Sequence, residues 1–71
     1  MRTKLKVEIV AAGLGHQEVA ARVNANLPPE HRRLTEHGVT LLVTCRRTPS
    51  DAEREAFAKV LGKPAWQLFA N

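Results

Sequence analysis

Residues that interrupt regular structure recur along this chain: Gly13 and Gly15, Pro28 and Pro29, Gly38, Pro49, then Gly62 and Pro64. Proline removes a backbone donor and fixes φ, and glycine leaves the helical region readily, so each mark ends an element or forces a turn. Only short segments lie between the marks. None approaches the apolar run of about 20 residues that a membrane-spanning helix requires. With 71 residues in all, the chain is expected to form one domain, residues 1–71. Hydrophobic residues at 44% against 25% charged support a core and argue against disorder. The aromatic residues are Phe57, Trp66 and Phe69, so that core must be mainly aliphatic. A chain of this size buries a limited share of its surface, which leaves little room for a deep substrate cavity. An enzyme is not expected.

Most segments carry apolar residues at helical spacing. Leu5, Ile9 and Ala12 predict a helix from about Thr3 to Ala12, stopped by Gly13 just beyond its end. Val19, Ala20 and Val23 predict a second, from after Gly15 to about Asn24. Ser50 and Glu53 have the spacing of a capping box, in which each side chain satisfies an open amide at a helix start. Ala52, Ala56, Phe57, Val60 and Leu61 then form one stripe before Gly62. Pro64 suits the first position of a short closing helix, with Trp66 to Phe69 folding back as a lid on the core. Trp66 and Phe69 also offer themselves as a dimer face.

The segment Val39-Thr-Leu-Leu-Val-Thr-Cys45 reads two ways. Its β-branched residues favour a strand. Thr35 followed by Glu36-His37 instead has the form of an N-cap opening a helix. Val39 and Leu42 would then face inward, leaving Glu36, His37, Thr40 and Thr44 outside. Local rules leave both open.

Charge narrows the function. The net charge is +4, and all of this excess falls within residues 1–48, which hold eight basic side chains against four acidic ones. Such a surface favours polyanions through counterion release. A single cysteine, Cys45, makes no internal disulfide, and no signal-type apolar stretch follows the basic start MRTKLKVE. A cytoplasmic protein is expected. His16, His31, His37 and Cys45 lack the spacing of a zinc pair, and no glycine-rich phosphate loop occurs. No metal, cofactor, membrane or small-molecule substrate is expected.

Taken in order, these segments resemble the phage-repressor and Cro-like helix-turn-helix family, also called the XRE type. Gly13-Leu-Gly-His-Gln-Glu-Val-Ala20 stands where that family carries Gly-Leu-Thr-Gln-Glu-Glu-Leu-Ala, with Ala20 at the small residue the second motif helix crosses. Val19 and Val23 match its apolar positions. Leu34-Thr-Glu-His-Gly-Val-Thr-Leu-Leu-Val-Thr-Cys-Arg-Arg-Thr-Pro-Ser50 resembles a recognition helix and the loop after it. Val60-Leu-Gly-Lys-Pro-Ala-Trp-Gln-Leu-Phe69 resembles the family's Leu-Gly-x-Pro close. The matches cover about residues 5–24 and 34–69. They imply an all-α, lambda-repressor-like bundle of about five helices, with residues 35–46 as a reading helix.

Departures cluster in the turn. Nine residues, Ala25 to Arg33, stand where the family has a tight turn. Asn24 takes the place of the turn's glycine and is able to adopt a left-handed backbone. Pro28 and Pro29 exclude a continuous helix, leaving a short helical segment at Pro29–Arg33 as the expectation. His16 replaces a Gln and Gly15 a Thr cap.

The resemblance implies a sequence-specific, double-stranded-DNA-binding transcriptional regulator of the kind phages and prophages encode. It would act as a homodimer on two half-sites. Glu36, His37, Thr40 and Leu41 would face the bases. His16, Gln17, Arg32, Arg33, Thr44, Arg46 and Arg47 would hold the sugar–phosphate backbone, with Lys4 and Lys6 as further candidates. The rival reading is a protein-interaction module, antitoxin-like or anti-repressor, docking through Trp66–Phe69 and the Leu27-Pro-Pro29 turn.

Overall fold

The computed structural model describes residues 4–69 as five helices: α1 Lys4–Ala11, α2 His16–Asn24, α3 Glu36–Val43, α4 Asp51–Leu61 and α5 Ala65–Leu68. The ambiguous segment at 39–45 is helical over its first part. Thr35 caps it by accepting from the Gly38 amide at 3.0 Å, and Val39, Leu42 and Val43 are buried together. One face of a helix buries all three, whereas the alternation of a strand would split them between two faces.

The helices bury one aliphatic core. Leu5 and Ile9 come from α1, Val19, Ala20 and Val23 from α2, Ala56 and Phe57 from α4, and Leu68 from α5. Helix α2 packs against both α3 and α4, while α5 packs on α4 and α1. Phe57 is wholly buried, and Phe69 meets its ring edge-on at 5.7 Å between centroids. Helix α5 therefore closes the core with Leu68 and Phe69. Trp66 is not part of that lid: it is 69% exposed, because Leu68 takes the inward face of the single turn. Pro64 lies one position earlier than expected, at the N-cap.

The ends follow local chemistry. Gly13, at φ 73°, stops α1 in a Schellman motif, in which the Leu14 amide donates to the Ile9 carbonyl and the Gly13 amide to that of Val10. Ser50 and Glu53 form the complete capping box of α4, and Gly62 ends it at φ 69°. Helix α3 is shorter than expected and stops at Val43. Its stop is again a Schellman pair, Arg46 amide to Leu41 carbonyl and Cys45 amide to Leu42 carbonyl. Here Cys45 takes the left-handed conformation, φ 61°, that glycine supplies elsewhere.

The connection from α2 to α3 contains no helix. His31 closes a turn onto the Pro28 carbonyl at 3.0 Å, and the chain then runs irregularly to Thr35. Asn24 does not adopt a left-handed backbone; it is the last helical residue of α2. Its side chain brackets Leu34, accepting from the Leu34 amide at 2.7 Å and donating to the Leu34 carbonyl at 2.8 Å. This pair imitates a rung of backbone pairing and brings the two ends of the long turn together. No helix among the described residues is long and apolar enough to cross a membrane.

Candidate nucleic-acid interface

Helix α3 presents Glu36 and His37 to solvent in its first turn, with Thr40 and Leu41 half-buried one turn on and Thr44 exposed at its C-cap. These are the side chains expected to meet bases or phosphates, and they share one outward face because Val39, Leu42 and Val43 occupy the other.

A chain of polar contacts joins that face to α1 and α2. His16, the first residue of α2, lies 2.8 Å from Lys6 Nζ through Nε2 and 3.0 Å from Thr40 Oγ1 through Nδ1. The Lys6 ammonium only donates, so Nε2 accepts and Nδ1 carries the proton toward Thr40. Thr40 in turn donates to the Glu36 carbonyl at 3.2 Å. Burial and then the Lys6 charge push the His16 pKa below its ordinary 6.5, with Glu36 acting the other way. A neutral imidazole follows from the same bond directions.

This arrangement changes what two threonines offer. The Thr40 hydroxyl is spent on His16 and its own helix, leaving the methyl as its uncommitted part. Thr44 turns its hydroxyl back onto the Thr40 carbonyl at 2.7 Å, so the proton expected for a phosphate is committed within α3. Gln17 is exposed beside Gly15, which caps α2 with no side-chain hydrogen bond.

The arginines divide into two kinds. Arg32, Arg33 and Arg46 are exposed. Arg47, expected as a backbone clamp, instead donates to Glu53 Oε2 at 2.6 Å, and Glu53 is only 1% exposed. The other carboxylate oxygen accepts from the Ser50 amide at 2.9 Å. A carboxylate buried this deeply requires a charged partner, and Arg47 supplies it. Arg47 also lies over the first turn of α3, where a β-carbon at Gly38 would stand 3.5 Å from its Nη1 and 2.9 Å from Leu34 Cδ1. Glycine is what lets the long turn and Arg47 come this close to α3.

Arg32, Arg33, His37, Leu41 and Arg47 line one cleft, and His16, Thr40 and Glu36 form a second grouping beside it. No described side-chain contact ties Gln17 or Arg46 to either, and Arg46 meets Leu41 only through its backbone amide. Asn24, His31 and Glu53 shape the site without having been expected there. Asn24 carried a local hint as a polar residue at a helix end, and Glu53 one as half of a capping box, while His31 carried none. Among the described residues no cluster of three or more His, Cys, Asp or Glu side chains could hold a metal ion. The chain matches no protein-family model, no curated protein and no solved structure.

Proposed function

We propose that the chain is a sequence-specific double-stranded-DNA-binding regulator that lays α3 in the major groove. One observation carries the reading: a short helix whose outward face holds Glu36, His37, Thr40 and Leu41, with Lys6 at one side and Arg32 and Arg33 at the other. A helix fits the major groove, and basic residues on both sides of it meet the two phosphate ridges that border the groove. On this reading Glu36 accepts from a cytosine amino group, His37 donates to a guanine acceptor, and the Thr40 methyl meets a thymine methyl. A single α3 makes few base contacts, so two copies act on half-sites about one helical turn apart. The resemblance to phage repressors agrees with this use of the fold.

The test is selection of bound fragments from random duplex DNA, followed by binding at rising salt. A defined site should emerge, and affinity should fall steeply with salt. Glu36→Ala should relax preference at one base pair by about 1–3 kcal/mol while changing non-specific binding little. Failure to enrich any sequence, with no duplex retained at low salt, would overturn the reading.

A further inference from the structure

The connection between α2 and α3 carries two adjacent arginines on a backbone pinned at both ends. On one side His31 donates through Nδ1 to the Arg32 carbonyl at 2.7 Å, and its Nε2 accepts from the Ser50 hydroxyl at 2.8 Å. On the other, Leu34 is clasped by Asn24. Arg32 and Arg33 sit between these pins with their side chains exposed. Among the described residues the ion pair is Arg47–Glu53, so no described carboxylate neutralises either arginine.

They open onto a cleft of about 210 Å³ lined also by Thr35, His37, Gly38 and Arg47, with no acidic side chain in its wall. Glu53 balances Arg47, so the net positive charge there comes from Arg32 and Arg33. The cleft is open to solvent and roomy enough to admit a phosphate group. Guanidinium forks match phosphate oxygens bidentately, and a backbone already held in place lowers the ordering cost of binding.

The geometry points to this cleft as a seat for a single phosphate group, built by the long turn itself. Taking the phosphate from a DNA backbone rests on the function proposed above; the seat does not. The turn is then a phosphate clamp beside the amino end of α3 and not a passive spacer.

Amide and arginine side-chain NMR signals of the whole chain, recorded at matched ionic strength, test both claims. The ligands are a mixed duplex, inorganic phosphate and sodium chloride, with wild type and R32Q/R33Q compared. Both ligands should shift Thr35–Gly38 and the Arg32 and Arg33 side chains, and chloride should not. The double variant should bind duplex about tenfold more weakly or worse at about 0.1 M salt, with the salt slope reduced by about two and the unfolding temperature unchanged. Equal duplex binding and equal slopes in the two proteins, with phosphate shifting both alike, would overturn the seat and leave the DNA reading standing. Saturable phosphate shifts lost in the variant, without duplex binding, would uphold the seat and overturn DNA as its source. Shifts from neither ligand in wild type would overturn both.

Discussion

His16 and Cys45 show how much single residues decide in this fold. His16 is neutral because it is partly buried against Lys6, with Nδ1 directed at Thr40. Its folded pKa lies below 6.5 while the unfolded chain keeps the ordinary value, so the unfolded state binds more protons between the two. The stability this site contributes is therefore present above pH 6.5 and lost as pH falls through 6.5 toward the folded value. The ring should titrate below 6.5 by NMR. His16→Gln should flatten the fall in unfolding temperature between about pH 7.5 and 5.5. A ring titrating above 6.5, or an unchanged slope in the variant, would contradict a neutral imidazole that accepts from Lys6. Cys45 holds a left-handed backbone at φ 61°, a conformation that opposes an L side chain by about 1–2 kcal/mol. Cys45→Gly should raise stability by about 0.5–1 kcal/mol after allowing for glycine's greater loss of chain entropy. Chemical denaturation reads this directly, and a loss of stability would mean that the Cys45 side chain outweighs the strain.

Among the elements, the long turn behaves as a built unit. Leu34 is buried, so removing the side chain that pairs its amide and carbonyl leaves both unsatisfied. Asn24→Ala should lower stability by about 1–3 kcal/mol. Asn24→Asp keeps the acceptor for the Leu34 amide but sets a carboxylate against the Leu34 carbonyl, so it should also destabilise. If Asp matches wild type in denaturant midpoint, the donor half of the bracket contributes nothing. Helix α3 was legible at one end only. Its N-cap could be read at Thr35, as the capping box could at Ser50 and Glu53, because those bonds span three residues. Its stop could not, because a cysteine in a glycine's conformation has no signature in residue type. Glu53 looked like a cap and is one, yet it is also the buried half of an ion pair with Arg47.

For the whole molecule, the all-helical architecture follows from short amphipathic segments that pool their apolar faces around Phe57. The proposed use on DNA has a geometric consequence at this scale. Two copies on one duplex should bind together only when half-sites keep the same helical phase. Inserting about five base pairs, half of the 10–10.5 that make one turn, should abolish cooperative binding, and inserting a full turn should restore part of it. Gel shifts with spaced half-sites measure this, and indifference to spacing would exclude a rigid dimer. Trp66 stands 69% exposed, so Trp66→Ala should leave the unfolding temperature unchanged.

Where helices begin and end was largely decided within a few residues, by Gly13, Thr35, Ser50, Glu53 and Gly62, since capping bonds are short-range and tied to residue type. Helical spacing likewise marked the inward faces. Contacts outside any helical spacing decided the rest: Asn24 on Leu34, His31 on Ser50 and His16 on Thr40, with Arg47 turned to Glu53 six residues on. The partners in such bonds meet only once the helices have packed, and no local period records which side chain will lie opposite which.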